Sequence, residues 1–205
     1  MNEYKETVKR RFDELAFSYS NNAVGYIRDK RLEFLKKNIG KNDKILEIGC
    51  GSGNLLRFLD CDNIYGIDIS PKMIDFCRKI IPQGLFVSGD AENLPYEDNF
   101  FDKIIISEVL YYLPDLEKAI KEANRVLNKD GVLLITSLNK KYNFVKTFVN
   151  VLKIGIHDNV SMSYISLKKL KKTIEKYFKI EETGAIPIKF IPANYSLIFY
   201  LKAKK

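Results

Sequence analysis

The sequence predicts one α/β domain built around a doubly wound, mostly parallel β-sheet with helices on both faces. The 205-residue chain alternates short apolar runs, which are typical of buried strands, with amphipathic stretches that are typical of helices. A glycine-rich turn follows the first predicted strand, residues 45–48, and predicted helices separate most of the later strands. Hydrophobic residues make up 46% of the chain, enough to fill a single core. A sheet of this kind binds ligands across the carboxyl ends of its strands.

The turn after the first strand contains three glycines at alternate positions, Gly49, Gly51 and Gly53, and Glu47 precedes them. Glycine lets the backbone turn sharply and lets a ligand approach it closely. Residues 54–59 predict the start of a helix, whose free N–H groups would point back at the turn. The dinucleotide fingerprint G-x-G-x-x-G spaces its third glycine differently, which disfavours a nicotinamide-dependent oxidoreductase. An ordinary tight turn is the simpler alternative for such a loop taken alone.

A carboxylate closes the second predicted strand, residues 64–68. Asp68 lies 19 residues after Gly49, about the length of one helix and one strand, so the topology places it beside the glycine turn. A carboxylate there can accept hydrogen bonds from both hydroxyls of a ribose. Ser70 and Pro71 then predict the N-cap and first residue of the next helix.

Four segments in order carry a resemblance to a known family. They are E-x-G-x-G-x-G at 47–53, GIDIS-P-x-M at 66–73, GDA-x-x-LP at 89–95 and FD-x-x-x-x-S-x-x-L-x-x-L-x-D at 101–115. Together they resemble the class I S-adenosylmethionine-dependent methyltransferases, in particular the small-molecule branch known as methyltransferase domain 11. The resemblance is strong over about residues 10–138 and covers the C-terminal third only in outline. It implies a seven-stranded sheet whose last strand is antiparallel, and S-adenosyl-L-methionine as cofactor, with S-adenosyl-L-homocysteine as product.

The resemblance also implies how the cofactor is held. Glu47 would help hold the methionine amino group, Asp68 the ribose, and Asp90 with the backbone N–H of Ala91 the adenine. Adenine presents a donor next to an acceptor, which a carboxylate and an amide N–H complement. The implied cofactor-binding set is Glu47, Gly49, Cys50, Gly51, Gly53, Asp68, Ile69, Met73, Asp90, Ala91, Ser107, Glu108 and Tyr19. For Met73 and Tyr19, packing in the core is the alternative.

Catalytic residues are less well defined. A general base is required only if the acceptor is protonated at the working pH. The candidates are Glu108, Tyr111, Tyr112, Tyr19 and His157. Many relatives carry His where this chain has Tyr111 and Tyr112, so a role for that histidine cannot be transferred. His157 is the one histidine of the chain, and a surface or loop position is its alternative.

The chain divides into four parts within one domain. These are an N-terminal helical cap (1–40, with helices over 2–20 and 23–38), the cofactor-binding core (41–138), a variable helical lid or acceptor region (139–178, with a helix over 144–156 and another capped by Ser166), and C-terminal strands (179–205, with strands at 179–183 and 196–202).

Charge is distributed unevenly along the chain. Residues 1–140 carry 21 Lys and Arg against 22 Asp and Glu, whereas residues 141–205 carry 13 against 4. A basic C-terminal third favours anionic partners, or is a lysine-rich face in solvent. Three cysteines without metal-like spacing, no signal-like start and no apolar run of about 18 residues predict a reduced, cytoplasmic protein without metal or transmembrane segment.

The predicted activity is methyl transfer to a small-molecule, lipid or carrier-linked acceptor. The fourth strand is predicted at residues 101–107. The motifs of adenine-N6 and cytosine methyltransferases are missing after it, which disfavours a nucleic-acid partner. Two alternatives stay open. One is a non-catalytic S-adenosylmethionine-binding protein that docks a partner through its basic third, and the other is an RNA-associated methyltransferase with salt-dependent binding through the lysines of 168–179.

Overall fold

A computed structural model describes residues 2–19, 25–139, 163–186 and 198–205; for residues 17–19 and 25 it describes the backbone only. Seven strands form one sheet in the order β3-β2-β1-β4-β5-β7-β6. They are β1 (Lys44–Ile48), β2 (Asn63–Asp68), β3 (Leu85–Ser88), β4 (Phe101–Ser107), β5 (Leu127–Leu138), β6 (Lys179–Ile186) and β7 (Ile198–Lys204). The pairs from β3 through β5 are parallel, and β7 is antiparallel to both β5 and β6. The predicted mostly parallel sheet with an antiparallel last strand is confirmed.

Five α-helices surround the sheet in the described part of the chain. They are α1 (Glu3–Tyr19), α2 (Gly25–Asn38), α3 (Pro71–Ile80), α4 (Leu116–Val126) and α5 (Leu167–Ile174). The predicted caps are confirmed, since the Ser70 hydroxyl accepts the N–H of Met73 and the Ser166 hydroxyl accepts that of Lys169. None of the helices described here is both long and apolar enough to cross a membrane.

Two hydrophobic cores lie on opposite faces of the sheet. Alternating side chains along a strand point to opposite faces, so Ile45 packs in the core beside α2 and α3 while Leu46 packs in the core beside α4 and α5. The side chains of β4 alternate in the same way: Ile105 packs in the core beside α2 and α3, and its neighbour Ile104 packs in the core beside α4 and α5. Burial on both faces explains why the central strands are continuous apolar runs.

One predicted helix is wrong. Residues 54–59 form turns and a single 3₁₀ turn, Leu56–Phe58, and no α-helix follows the glycine turn. Leu56 is fully buried and Leu55 and Leu59 nearly so, so this short segment packs its leucines against the sheet without continuing as a helix. The predicted helix over 144–156, and His157 after it, lie outside the described residues.

Candidate functional site

The glycine turn lies at the carboxyl end of β1 and has the backbone shape that its sequence predicts. Gly49, Gly51 and Gly53 have positive φ angles of 73°, 51° and 75°. The N–H groups of Gly49 and Cys50 both donate to the carbonyl of Ile67 on β2, at 2.8 and 3.1 Å. A Cβ atom at Gly49 would lie 2.3 Å from Cγ2 of Val109, so only glycine fits where the segment after β4 covers the turn.

Asp68 connects this turn to the next helix. Its Oδ2 accepts the Gly51 N–H at 2.8 Å, and its Oδ1 accepts the Ser70 N–H at 2.9 Å. Burial raises the pKa of Asp68 to about 6, although the hydrogen bonds from Ser70 and Gly51 act to lower it and the charge of Asp13 adds to the increase. The carboxylate is therefore held in place beside the turn, and its role as a ribose ligand stays a prediction.

Buried charged side chains whose charges interact lie at the carboxyl end of β1 and in the elements around it. Glu47 is 3% exposed, and its Oε2 has no hydrogen-bond partner among the described residues. Burial raises the pKa of Glu47 well above its usual value, the charge of Asp68 adds to this, and Arg31 of α2 opposes it. Arg31 reaches across to Glu108, with 2.9 Å between Nη2 and Oε1, yet its buried Nε finds no hydrogen-bond acceptor in the described structure. An acidic and a basic group with unused hydrogen-bonding capacity thus lie close enough for their charges to interact.

Glu108 is held in an unusual backbone conformation at the end of β4. Its φ is 59°, in the left-handed region that non-glycine residues rarely adopt, and its N–H donates to the carbonyl of Thr136 at 3.0 Å. The Tyr111 hydroxyl donates to its Oε2 at 3.2 Å. Burial raises the pKa of Glu108, and Arg31, Tyr111 and the backbone of Leu138 partly offset this. Backbone strain of this kind is found where a fold fixes the position of a functional side chain.

Asp90 follows β3 and is part of a buried ionic cluster. Lys5 of α1 places its Nζ 2.6 Å from Oδ2 of Asp90 and 2.6 Å from Oε2 of Glu92. Oδ1 of Asp90 accepts the N–H of Glu92 at 2.9 Å, and Oε1 of Glu92 accepts the N–H of Asp115 at 2.8 Å. Burial acts to raise the pKa of Asp90, but the hydrogen bonds from Lys5 and the Glu92 backbone lower it overall.

Helix α1 contacts both strand-end carboxylate regions. Lys5 binds Asp90, and Asp13 accepts the hydroxyl of Ser70 at 2.6 Å, two residues after Asp68. Eight residues of α-helix separate Lys5 from Asp13, about 12 Å at 1.5 Å per residue. The helix therefore runs from the end of β3 to the end of β2 and borders the space between them.

The remaining predicted residues have varied environments. Cys50 is buried with its Sγ 3.8 Å from that of Cys77, and burial raises the pKa of the Cys50 thiol well above its usual value. Met73 is fully buried, Ile69 and Ala91 are partly buried, and the Ser107 hydroxyl lies 2.8 Å from that of Thr136. Tyr111 is buried and its ring contacts those of Tyr112 and Tyr164 at centroid distances of 4.7 and 5.1 Å. The Tyr19 side chain and His157 lie outside the described structure. Within the described chain, no group of three or more His, Cys, Asp or Glu could hold a metal ion.

No motif in the sequence predicted two cations of this region, Lys5 and Arg31. Both lie about one helical turn before a buried apolar residue of the same helix: Lys5 precedes the buried Val8 by three residues, and Arg31 precedes the fully buried Leu35 by four. A charged residue at an apolar position of a helix is the signal that could have identified them, because burial of a charge requires a partner.

The fold belongs to the doubly wound α/β class, with a glycine turn and carboxylates at adjacent strand ends. A family model described as a methyltransferase domain matches residues 46–135. The demethylmenaquinone methyltransferase of Lactobacillus johnsonii is 31% identical over 176 residues, which are 80% of this chain and 68% of that one. The chain belongs to the S-adenosylmethionine-dependent methyltransferase family.

Two further comparisons agree. An uncharacterised protein of Methanocaldococcus jannaschii is 34% identical over 173 residues, covering 84% of this chain and 66% of that protein. The chain thus spans about two thirds of the length of these curated relatives. A crystal structure of an S-adenosylmethionine-dependent methyltransferase from Thermotoga maritima superposes with a TM-score of 0.77 at 20% identity, covering 96% of this chain and 99% of that one, and so shares the fold.

Proposed function

We propose that this chain binds S-adenosylmethionine and transfers its methyl group to a small-molecule acceptor. The observation that carries the proposal is a pair of buried atoms without hydrogen-bond partners among the described residues, Oε2 of Glu47 and Nε of Arg31, in two residues whose charges interact. Leaving such groups unsatisfied costs about 1–3 kcal/mol each. A ligand with an ammonium and a carboxylate on one carbon would satisfy both, and the methionine end of the cofactor has this chemistry.

The remaining residues would then hold the rest of the cofactor. Glu47 would accept from the ammonium and Arg31 would donate to the carboxylate. Asp68 would accept from the ribose hydroxyls, and Asp90 with the Ala91 N–H would bind the adenine. The glycine turn leaves room for the chain between these ends. When bound, S-adenosylmethionine would supply the methyl group of its sulfonium, whose carbon the acceptor nucleophile would attack with S-adenosylhomocysteine as the leaving group.

The acceptor would approach from the side of Glu108. Tyr111 and Tyr112 follow this residue, Phe12 of α1 packs edge-on against Tyr112 at 5.1 Å, and Tyr164 packs against Tyr111. Aromatic rings around a carboxylate suit an apolar, ring-containing acceptor that must lose a proton, since the rings supply contact area and the carboxylate accepts the proton. The Lactobacillus johnsonii relative is named a demethylmenaquinone methyltransferase, which supports an apolar, ring-containing acceptor for this chain.

The test is turnover with defined acceptors. The protein would be incubated with S-adenosylmethionine and either a demethylmenaquinol analogue or a simple primary amine, and S-adenosylhomocysteine would be quantified by mass spectrometry. We expect product with the quinol analogue, well above a sample without acceptor. Binding of S-adenosylhomocysteine with no turnover on either acceptor would contradict the proposed acceptor class and favour the non-catalytic alternative.

A further inference from the structure

We infer that Lys5 is a positioning residue for the adenine end of the cofactor site, because its ammonium holds the Asp90 carboxylate facing the purine. The inference rests on the proposed function and concerns a residue outside the four motif segments. Lys5 comes from α1, 85 positions before Asp90 in the chain, so the contact depends on the helix docking across the strand ends.

The contact is buried and short. The Lys5 side chain is 10% exposed and its Nζ lies 2.6 Å from one oxygen of Asp90 and 2.6 Å from one of Glu92. Burial alone would lower the pKa of Lys5, but the hydrogen bonds and charges of Asp90 and Glu92 raise it above its usual value. The ammonium therefore stays charged and compensates two carboxylates that would otherwise repel each other at close range.

The two carboxylates are not equivalent. The Glu92 side chain is 6% exposed, whereas that of Asp90 is 33% exposed. Glu92 also accepts the Asp115 N–H with its second oxygen, so both of its oxygens already have hydrogen-bond partners within the protein. Each oxygen of Asp90 accepts one hydrogen bond, from Lys5 or from the Glu92 N–H, and a carboxylate oxygen has a second lone pair. Asp90 thus keeps acceptor capacity on its open side.

The consequence is selectivity for a 6-aminopurine. An ionised, fixed carboxylate accepts from an exocyclic amino group and repels the oxygen that replaces it in hypoxanthine. If Lys5 is removed, Asp90 loses the contact that lowers its pKa and fixes its orientation. A carboxyl group that can protonate or rotate can also donate to an oxygen, so discrimination between the two purines should weaken.

The experiment compares S-adenosylhomocysteine with S-inosylhomocysteine by calorimetry. Both ligands would be titrated into the wild type, Lys5→Met and Lys5→Arg. Lys176→Met is the matched control, because Lys176 also pairs with a carboxylate at 2.6 Å, that of Glu117, but on the exposed surface. Lys5→Met combined with Glu92→Gln covers the case in which the single variant is too unstable, since it removes one of the two carboxylates left without a counter-charge. Thermal melting would establish that each variant is folded.

We expect the ratio of the two dissociation constants to fall about fivefold or more in Lys5→Met and in the double variant, and to stay near the wild-type value in Lys5→Arg and Lys176→Met. Loss of stability alone would weaken both ligands together and leave the ratio unchanged. A wild type that discriminates and a folded Lys5→Met with the same ratio would overturn the inference and leave the proposed function intact. A wild type that does not bind S-adenosylhomocysteine would overturn the proposed function, and the inference with it.

Discussion

Replacing Asp68 by Asn removes a carboxylate that joins the glycine turn to the start of α3. The side chain accepts one N–H from each, from Gly51 and Ser70, and burial raises its pKa to about 6. If the ribose hydroxyls donate to Asp68, the ionised form binds best. Affinity for S-adenosylhomocysteine should therefore depend on pH within an ordinary experimental range, which a carboxyl group with its usual pKa would not cause.

The magnitude follows from the pKa. With a value of about 6 in the free protein, the apparent dissociation constant should be about twofold higher at pH 6 than at pH 8, and about tenfold higher at pH 5. Asn cannot ionise and cannot accept from both N–H groups, so at about pH 8 the affinity should also fall by about tenfold or more, as expected for loss of a charged hydrogen-bond acceptor, and the gap from the wild type should narrow toward pH 5.

The assay is calorimetric titration of S-adenosylhomocysteine into both proteins between about pH 5 and pH 8. Glu47 also has a raised pKa and contributes its own slope, so Glu47→Gln serves as the second variant. The difference between wild-type and Asp68→Asn curves isolates Asp68. A wild-type affinity that is flat over this range, or a slope that persists unchanged in Asp68→Asn, would refute the reasoning.

The raised pKa of Asp68 should also make the stability of the ligand-free protein depend on pH, in the opposite direction to ligand affinity. The folded pKa of Asp68, about 6, lies above the ordinary value of 3.8, so the folded ligand-free protein holds the proton more tightly than the unfolded chain. The stability that this group contributes is present below about pH 4 and is lost as the pH rises through about 6, by about 3 kcal/mol in total. Denaturant melts at several pH values should show this loss in the wild type relative to Asp68→Asn; a constant difference between the two would contradict it.

Three further predictions concern neighbouring residues. Arg31→Met should weaken the binding of S-adenosylhomocysteine about tenfold or more, but the affinity for adenosine, which lacks the methionine end, should stay within about twofold. The control, Arg28→Met on the same helix, should change neither affinity. Equal weakening of both ligands in calorimetry would contradict this prediction. Glu108→Gln should lower kcat about a hundredfold while the dissociation constant of S-adenosylhomocysteine changes little, and an unchanged kcat would exclude proton transfer to this residue. Gly49→Ala should destabilise the fold by about 2 kcal/mol or more in denaturant melts, because its φ is 73° and its Cβ would meet Val109 at 2.3 Å; an unchanged midpoint would show that the segment after β4 moves aside freely.

Local patterns in the sequence predicted most of the fold. Strand β4 coincides with the predicted residues 101–107, and the serine caps of α3 and α5 formed where the sequence indicated. These elements combine a long apolar run or a specific cap, so local and tertiary preferences agree. The helix predicted at residues 54–59 was wrong because an apolar run this short does not distinguish a helix from a buried turn. Here the packing of Leu56 and its neighbours under the sheet decides the conformation.

Some residues of the candidate site could likewise be predicted from the sequence, and others could not. Motif spacing placed Glu47, Asp68 and Asp90 at the carboxyl ends of neighbouring strands, where the structure has them. Arg31 and Lys5 were not predicted, since their partners lie 77 and 85 positions away in the chain and no local pattern encodes such a distance. The left-handed backbone of Glu108 was also unpredictable, because it arises from how the segment after β4 folds over the glycine turn.

The most direct measurement is calorimetric titration of S-adenosylhomocysteine into the wild-type protein at about pH 8, with NAD as the control ligand. We predict one site with a dissociation constant in the micromolar range, equivalent to a binding free energy of about −8 kcal/mol, and no binding of NAD. No detectable binding of S-adenosylhomocysteine, or tighter binding of NAD, would contradict the central claim and leave only the fold and the family.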